Sequence, residues 1–502
     1  LRLTMEVDIA EMHQSYPLME FQNEDDIFTA QIEFADAEGV YIVPRSRRIY
    51  PYGSAACQTI GWIGPEQEKE LFSDDPLARY LEGELSGRGP GVEYVCETIL
   101  RGKRGKLTYD IDQELVEKKH TRLGQDVTLS IDIELQNQIE QYVLDCQTNS
   151  NCESSTAVVV IEVASGNILA LVSTPIYNLN SIRYEYGDLL ADKREPLRNR
   201  ALNAHYPPGS VTKPLILIAG LESGKISASE VISCPAAPAP EGWPNCWIFN
   251  KHRVGHDGLW SNTARNAIRG SCNIYFSRLA NRLEPNVLQQ WLFAFGYGHK
   301  IALEPDEVVR RFLQVPGIIS SENPRGGIKN LEDIPPLNKG ELRYFGMGQG
   351  NFRVTPLQVA NAMATIAREG LYKEPKLILK PAVGDTMSVS LNITPYVLSV
   401  VHDGMFAVVN ESGGTAHKEF QSMLDYFAQA GVKVYGKTGS TENPDHAWFG
   451  GFAKDKTGRS IAIVVLVEGG QHGADDAAPL ARDTIQFCIE NGYLGAIVEY
   501  IE

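Results

Sequence analysis

Ser210 and Lys213 stand three residues apart in the segment Tyr206-Pro-Pro-Gly-Ser-Val-Thr-Lys-Pro214. Residues at that spacing share one face of a helix. A serine hydroxyl becomes a nucleophile when a base lies beside it. Lysine is such a base only when neutral, so its pKa must fall from about 10.4 to near 7, at a cost of about 4 kcal/mol. Burial and a second nearby cation lower it in that way. Pro214 lacks an N–H and suits only the first turn of a helix. Ser210 is therefore expected at a helix N-terminus, where unpaired N–H groups and the positive dipole end favour an oxyanion. Most S-x-x-K matches are no more than helix caps, but this one is unique in the chain and follows a Pro-Pro-Gly turn.

Such a serine needs a proton relay and a substrate anchor. S-x-N occurs at Ser165, Ser271, Ser321 and Ser390. Only Ser271-Cys272-Asn273 lies between two helical patterns, Ala264 to Ile268 and Ile274 to Leu279, on a connection that can face a cleft. The plain role for Ser271 is an N-cap. K-T-G occurs twice, and Lys456-Thr457-Gly458 reads as a hairpin turn. Lys437-Thr438-Gly439 ends a strand over Gly431 to Tyr435, and Gly436 and Gly439 leave that strand bare on one side. An extended peptide can pair there as an added strand. Lys437 and Thr438 would hold a carboxylate, and Lys437 would be the cation that depresses Lys213.

These segments need a frame. Thr156 to Val163 and Ile168 to Ser173 form a hairpin around Ala164-Ser165-Gly166-Asn167. Strands are also expected over Val127 to Ile131, Ala447 to Ala453 and Ser460 to Val467, with helices over Leu135 to Val143 and Asp476 to Ile489. A sheet made from both ends of a domain, with about 250 mostly helical residues inserted, is α+β architecture. Residues 1–125 are charged, turn-rich and without catalytic signals, although Val40 to Val43 reads as a short strand. This gives two expected domains, 1–125 and 126–502.

Composition sets outer bounds. The 502 residues are 43% hydrophobic and 22% charged, with a net charge of -17. That is globular, and too acidic for a nucleic-acid partner. No apolar run approaches the roughly 18 residues that span a bilayer. The first residue is Leu1 rather than Met, so a fragment is expected.

Taken in order, Ser210-Val-Thr-Lys213, Ser271-Cys-Asn273 and Lys437-Thr-Gly439 resemble the signature of the penicillin-binding transpeptidase family. Gly348-Gln-Gly350, Thr355-Pro-Leu-Gln, Gly414-Thr-Ala416 and Thr174-Pro also fit. Arg47-Arg-Ile-Tyr-Pro-Tyr-Gly-Ser54 and Leu100-Arg-Gly-Lys-Arg-Gly105 resemble the class B, elongation-type branch. The resemblance implies a five-stranded antiparallel sheet with a helical insert, preceded by an N-terminal pedestal. It also implies an anchor helix missing from this fragment, with the bulk in the periplasm beside the inner membrane.

The activity implied is a peptidoglycan D,D-transpeptidase, also able to act as a carboxypeptidase, that β-lactams acylate. Ser210 would attack the penultimate D-Ala carbonyl of a stem peptide and Lys213 would take its proton. Ser271 would relay a proton to the leaving D-Ala, and Asn273 would hold the substrate backbone. Lys437, Thr438 and Gly439 would receive the terminal carboxylate end, and the N–H groups of Ser210 and Ser440 would form the oxyanion hole. No cofactor is needed for this chemistry. A membrane glycosyltransferase of the shape, elongation, division and sporulation family is the implied partner. The same three motifs also fit a serine β-lactamase or a penicillin sensor, and a scaffold that activates the glycosyltransferase is a further role.

Cys234, Cys246, His256 and Cys272 lie in one stretch of the insert, with His252 an alternative to His256. Three Cys and one His suit structural zinc, and some elongation-type relatives carry a zinc beside the S-x-N motif. Disulfides at Cys234–Cys246 and Cys146–Cys152 are the competing reading.

Overall fold

In a computed structural model of the chain, the described residues are 19, 21, 24–42, 48–65, 77, 85–149, 154–304, 308, 310–322, 328–381 and 388–495. They divide between two compact units, residues 1–49 and 50–502. In the first, a helix runs over Glu24–Glu33. Val40 to Ile42 form no strand, and Val43 lies outside the described residues. In the second unit, contacts join residues 50–125 to the C-terminal part. Val92, Val95 and Cys96 are buried in the same core as the main sheet, because a four-residue helix such as Val92–Val95 has no core of its own.

The C-terminal part begins with helix α1 (Ile133–Asn149) and the hairpin β1 (Thr156–Glu162) and β2 (Ile168–Ser173). The insert contains α2 (Lys213–Glu222), α3 (Ala264–Arg269), α4 (Asn273–Arg282), α5 (Pro356–Ala367) and α6 (Pro395–Asn410). The chain returns through β3 (Val432–Thr441), β4 (His446–Asp455) and β5 (Ser460–Glu468), and closes with α7 (Ala478–Glu490). The sheet has five antiparallel strands in the order β3-β4-β5-β1-β2. The expected α+β architecture is therefore present, and the pattern Val127 to Ile131 contributes only the two-residue strand Thr128–Leu129.

The sequence explains this arrangement. Every residue from Ala157 to Ile161 and from Ile461 to Leu466 is buried, as continuous apolar runs in central strands should be. Helices α1 and α7 pack on each other and on the sheet, while α5 packs on β5, β1 and β4. A capping box between Thr355 and Gln358, with Pro356 in the first turn, starts α5, and all twelve of its residues are buried. Strand β3 is an edge strand, so one side of the Lys437-Thr438-Gly439 segment carries no neighbour within the sheet. Lys456-Thr457-Gly458 is the β4–β5 turn, held by Asp455 Oδ1 accepting from Thr457 N and Oγ1.

Candidate active site

Ser210 lies in a 3-10 turn, Gly209–Thr212, that runs into α2 at Lys213. It is half-buried and in the first turn, where backbone N–H groups lack intrahelical partners. The turn is held from several sides. Tyr206 N donates to Val354 O at 2.8 Å and Val354 N returns a bond to Tyr206 O at 2.9 Å. Trp448 Nε1 donates to Pro207 O at 3.0 Å, and Gly209 N donates to Gly348 O at 2.8 Å.

Gly348 has φ +74°, and a Cβ there would lie 1.9 Å from Gly209 O. Backbone would have to move to admit it, and the nucleophile turn is the backbone in question. A misplacement of about 1 Å costs roughly 10²-fold in rate. Gly348→Ala is therefore expected to slow covalent labelling of Ser210 by about 10²-fold in protein that still folds. Time-resolved intact mass checks this, and wild-type labelling would show that the turn absorbs the change.

The Lys213 amine is fully buried. It donates to Ser271 O at 2.9 Å, Ser271 Oγ at 3.2 Å and Asn273 Oδ1 at 2.8 Å. Among the described residues none of its hydrogen bonds goes to Ser210 Oγ, so the resting amine sits on the S-x-N segment beside the nucleophile. Burial pushes its pKa down to about 8, against an opposing pull from Cys246 and Cys272.

Lys437 is also fully buried, and its amine donates to Thr438 O at 2.9 Å. Burial, and then the charge of Lys213, hold its pKa well below the ordinary lysine value. Burial is the leading cause at both amines, and the repulsion between them is mutual, so it disfavours the charged form of each.

Ser271 is not an N-cap. It has φ +53° and is the left-handed residue just past α3, where Ser271 N donates to Ile268 O and Cys272 N to Ala267 O. A non-glycine residue pays about 1 kcal/mol or more in that region. The N-cap of α4 is Cys272, whose Sγ accepts from Tyr275 N at 3.4 Å. Asn273 opens α4, and its Nδ2 donates to Asn245 O at 3.2 Å.

Along β3, Thr438 Oγ1 lies 2.7 Å from Thr415 Oγ1. Gly439 packs under the nucleophile turn, where a Cβ would lie 3.1 Å from Pro208 O. Ser440 is exposed at the open edge, and its Oγ accepts from Gly473 N at 3.0 Å. The structure thus gathers Ser210, Lys213, Ser271, Asn273, Lys437, Thr438, Gly439 and Ser440 at one place. Ser165 and Ser390 serve turns, and Ser321 bonds Glu341 and Pro336. Thr415 and Gly348 belong to the site's support. Their Gly-Thr-Ala and Gly-Gln-Gly segments were the signal, but the spacing did not say what they touch.

Cys234, Cys246, His256 and Cys272 also converge. One ligand atom from each lies within 4.8 Å of the others, and all four residues are buried. Cys234 Sγ and Cys246 Sγ lie 3.4 and 3.5 Å from His256 Nδ1, and Cys246 Sγ lies 4.0 Å from Cys272 Sγ. Tetrahedral zinc sets sulfur–nitrogen and sulfur–sulfur separations of roughly 3.5 and 3.8 Å, so the donor set fits. His256 Nε2 is engaged with Gly270 O at 3.0 Å, which leaves Nδ1 for a metal. Hydrogen bonds with Cys234 and Cys272 hold the Cys246 thiol far below its usual value. Cys234 and Cys246 are free thiols, and Cys152 lies outside the described residues. His252 stands at the end of a separate helix, Trp247–His252.

A basic or nucleophilic amine, a serine at a helix start and an open strand edge are the parts of acyl transfer. Comparison with known proteins agrees. The penicillin binding protein transpeptidase domain matches residues 156–486, and the penicillin-binding protein dimerisation domain matches residues 8–129. The peptidoglycan D,D-transpeptidase MrdA of Acinetobacter baumannii is 30% identical over 483 residues, covering 89% of this chain and 67% of that protein. MrdA of Escherichia coli is 29% identical over 435 residues, covering 80% of this chain and 62% of that protein. A crystal structure of Pseudomonas aeruginosa PBP2 in complex with WCK 5153 superposes with a TM-score of 0.71 at 27% identity, over 90% of this chain and 93% of that one. With motifs, geometry and both domain matches in agreement, the chain belongs to the penicillin-binding protein transpeptidase family, in its class B, PBP2-like branch.

Proposed function

We propose that this chain is the peptidoglycan D,D-transpeptidase of cell-wall elongation. The observation that carries the reading is the buried Lys213 amine, bonded to Ser271 and Asn273 beside Ser210, with its pKa lowered by burial to about 8. Ser210 Oγ attacks the penultimate D-Ala carbonyl of a stem peptide, and its proton passes to the neutral Lys213. The tetrahedral oxyanion is received by the N–H groups of Ser210 and Ser440. Its collapse breaks the peptide bond, and the proton returns through Ser271 to the departing D-Ala nitrogen. An amine from a neighbouring stem peptide then attacks the Ser210 ester, giving the cross-link and the free serine. Water in its place would give carboxypeptidase action.

The substrate carboxylate binds at Lys437 and Thr438. An arriving negative charge favours protonation of Lys437 and so offsets the repulsion from Lys213. Asn273 and the free edge of β3 hold the peptide backbone. Cys234, Cys246, His256 and Cys272 would hold a zinc ion, which would neutralise the thiolates and fix the loop that carries Ser271. The working location is the periplasmic face of the cytoplasmic membrane, with a membrane glycosyltransferase as the partner that supplies glycan strands.

Intact mass with a penicillin, followed by a D-Ala-D-Ala stem peptide with an acceptor amine, tests the reading. A one-to-one lasting adduct on the Ser210 peptide and an amine-transfer product are expected. Penicillin turnover without a lasting adduct would instead identify a β-lactamase.

A further inference from the structure

Tyr206 precedes the nucleophile by four residues and is fixed at both ends. Its backbone is paired in both directions with Val354. Its ring is buried, edge-on to His446 and Trp448. Its hydroxyl donates to Glu468 Oε1 at 2.6 Å, and the other oxygen of that carboxylate accepts from Arg200 Nε at 2.8 Å. Arg200 is 2% exposed, and its Nη1 and Nη2 donate to the carbonyls of Glu195 and Arg194. Burial and the Glu468 carboxylate push the Tyr206 phenol up, so the proton stays on tyrosine.

We infer that Arg200, Glu468 and Tyr206 form a positioning chain that sets where Ser210 stands. It rests on the transpeptidase reading above. None of the three touches the reacting atoms in this account. Glu468 ends β5, so the chain ties the central sheet to the nucleophile turn through a side chain as well as through the backbone. Between the Tyr206 ring and Ser210 lie two prolines of fixed φ and Gly209, whose N–H is bound to Gly348. Little slack remains to absorb a shift of Tyr206. A hydrogen bond to a charged, largely buried acceptor is one of the stronger kinds, and its loss frees the ring to tilt.

Tyr206→Phe removes only that hydroxyl. With a chromogenic penicillin, its acylation rate constant is expected to fall about tenfold, with the encounter dissociation constant unchanged. Final adduct stoichiometry stays at one, and the pH midpoint of acylation is that of wild type. Glu468→Gln keeps an acceptor for the phenol but loses the ion pair, and is expected to fall about threefold. Wild-type acylation by Tyr206→Phe would overturn the inference. So would reduced stoichiometry at an unchanged rate, because that marks a folding role only. Wild-type protein that forms no adduct is a different outcome, which removes the transpeptidase reading instead.

Discussion

Lys213→Met is expected to be acylated by a penicillin about 10⁴-fold more slowly than wild type, the upper end of what a positioned general base contributes. Methionine is close to lysine in length and apolar, so it fills the same buried space, while Ser271 and Asn273 lose an amine that bonds both. Lys213→Arg gives no rescue, because a guanidinium stays charged and cannot take a proton at these pH values. Ser210→Ala is expected to give no adduct at any time, and an adduct on that variant would move the site of attack elsewhere. The pH profile supplies the sign. Only the neutral amine accepts a proton, and burial sets its pKa at about 8. Wild-type acylation therefore rises with pH, tenfold per unit below the midpoint, and levels off above about 8. At pH 7 about one molecule in ten carries the neutral amine. Lys213→Met loses this dependence and is flat. Stopped-flow acylation between pH 5.5 and 10 measures both, and a steep rise surviving in Lys213→Met would assign the base elsewhere.

The motifs that carry this chemistry were legible because they are local. Pro214 and the spacing of Ser210 and Lys213 place both groups on the start of α2, where the structure has them. The strands were legible as apolar runs, but the apolar alternation of β3 stops at Tyr435, whereas the strand continues through Gly436 and Gly439 to Thr441. Both glycines lie within the strand for a tertiary reason. A Cβ on Gly436 would lie 2.3 Å from the Phe449 ring, a contact that no local pattern encodes. Ser271 misled in the same way. A serine before a helix suggests an N-cap, yet the neighbouring helix α3 claims it as a left-handed terminator and leaves the cap to Cys272. The pairing of Lys437 with Lys213 was legible from the motifs, but that burial is the leading cause at both amines was not, because burial is a property of the fold. Glu468 lies 262 residues from Tyr206, so that bond had no sequence signal.

The second large effect concerns the thiols behind Ser271. Protein purified without chelator is expected to hold one zinc per chain. Its removal, or Cys246→Ser, is expected to lower the thermal midpoint by roughly 5 °C, which is about 4–5 kcal/mol at this size and only part of what structural zinc can contribute. The reason lies in the loop that the ligands enclose. Cys234 and Cys246 bracket residues 235–245, and Asn245 O accepts from the Asn273 side chain at 3.2 Å. Cys272 is both a ligand candidate and the cap of α4, between Ser271 and Asn273. Without a cation, three sulfurs and an imidazole are buried within 4.8 Å of one another, one of them with strong thiolate character. Relief of that crowding moves the loop, and with it the two groups that hold the Lys213 amine. Acylation by penicillin should therefore fall by at least tenfold on stripping, through a change of geometry, and recover when zinc is restored. Metal content, thermal midpoint and acylation rate should move together across the titration. Metal-free protein with an unchanged midpoint, a mass lower by two hydrogens and a digest peptide joining Cys234 to Cys246 would establish that disulfide in place of the zinc.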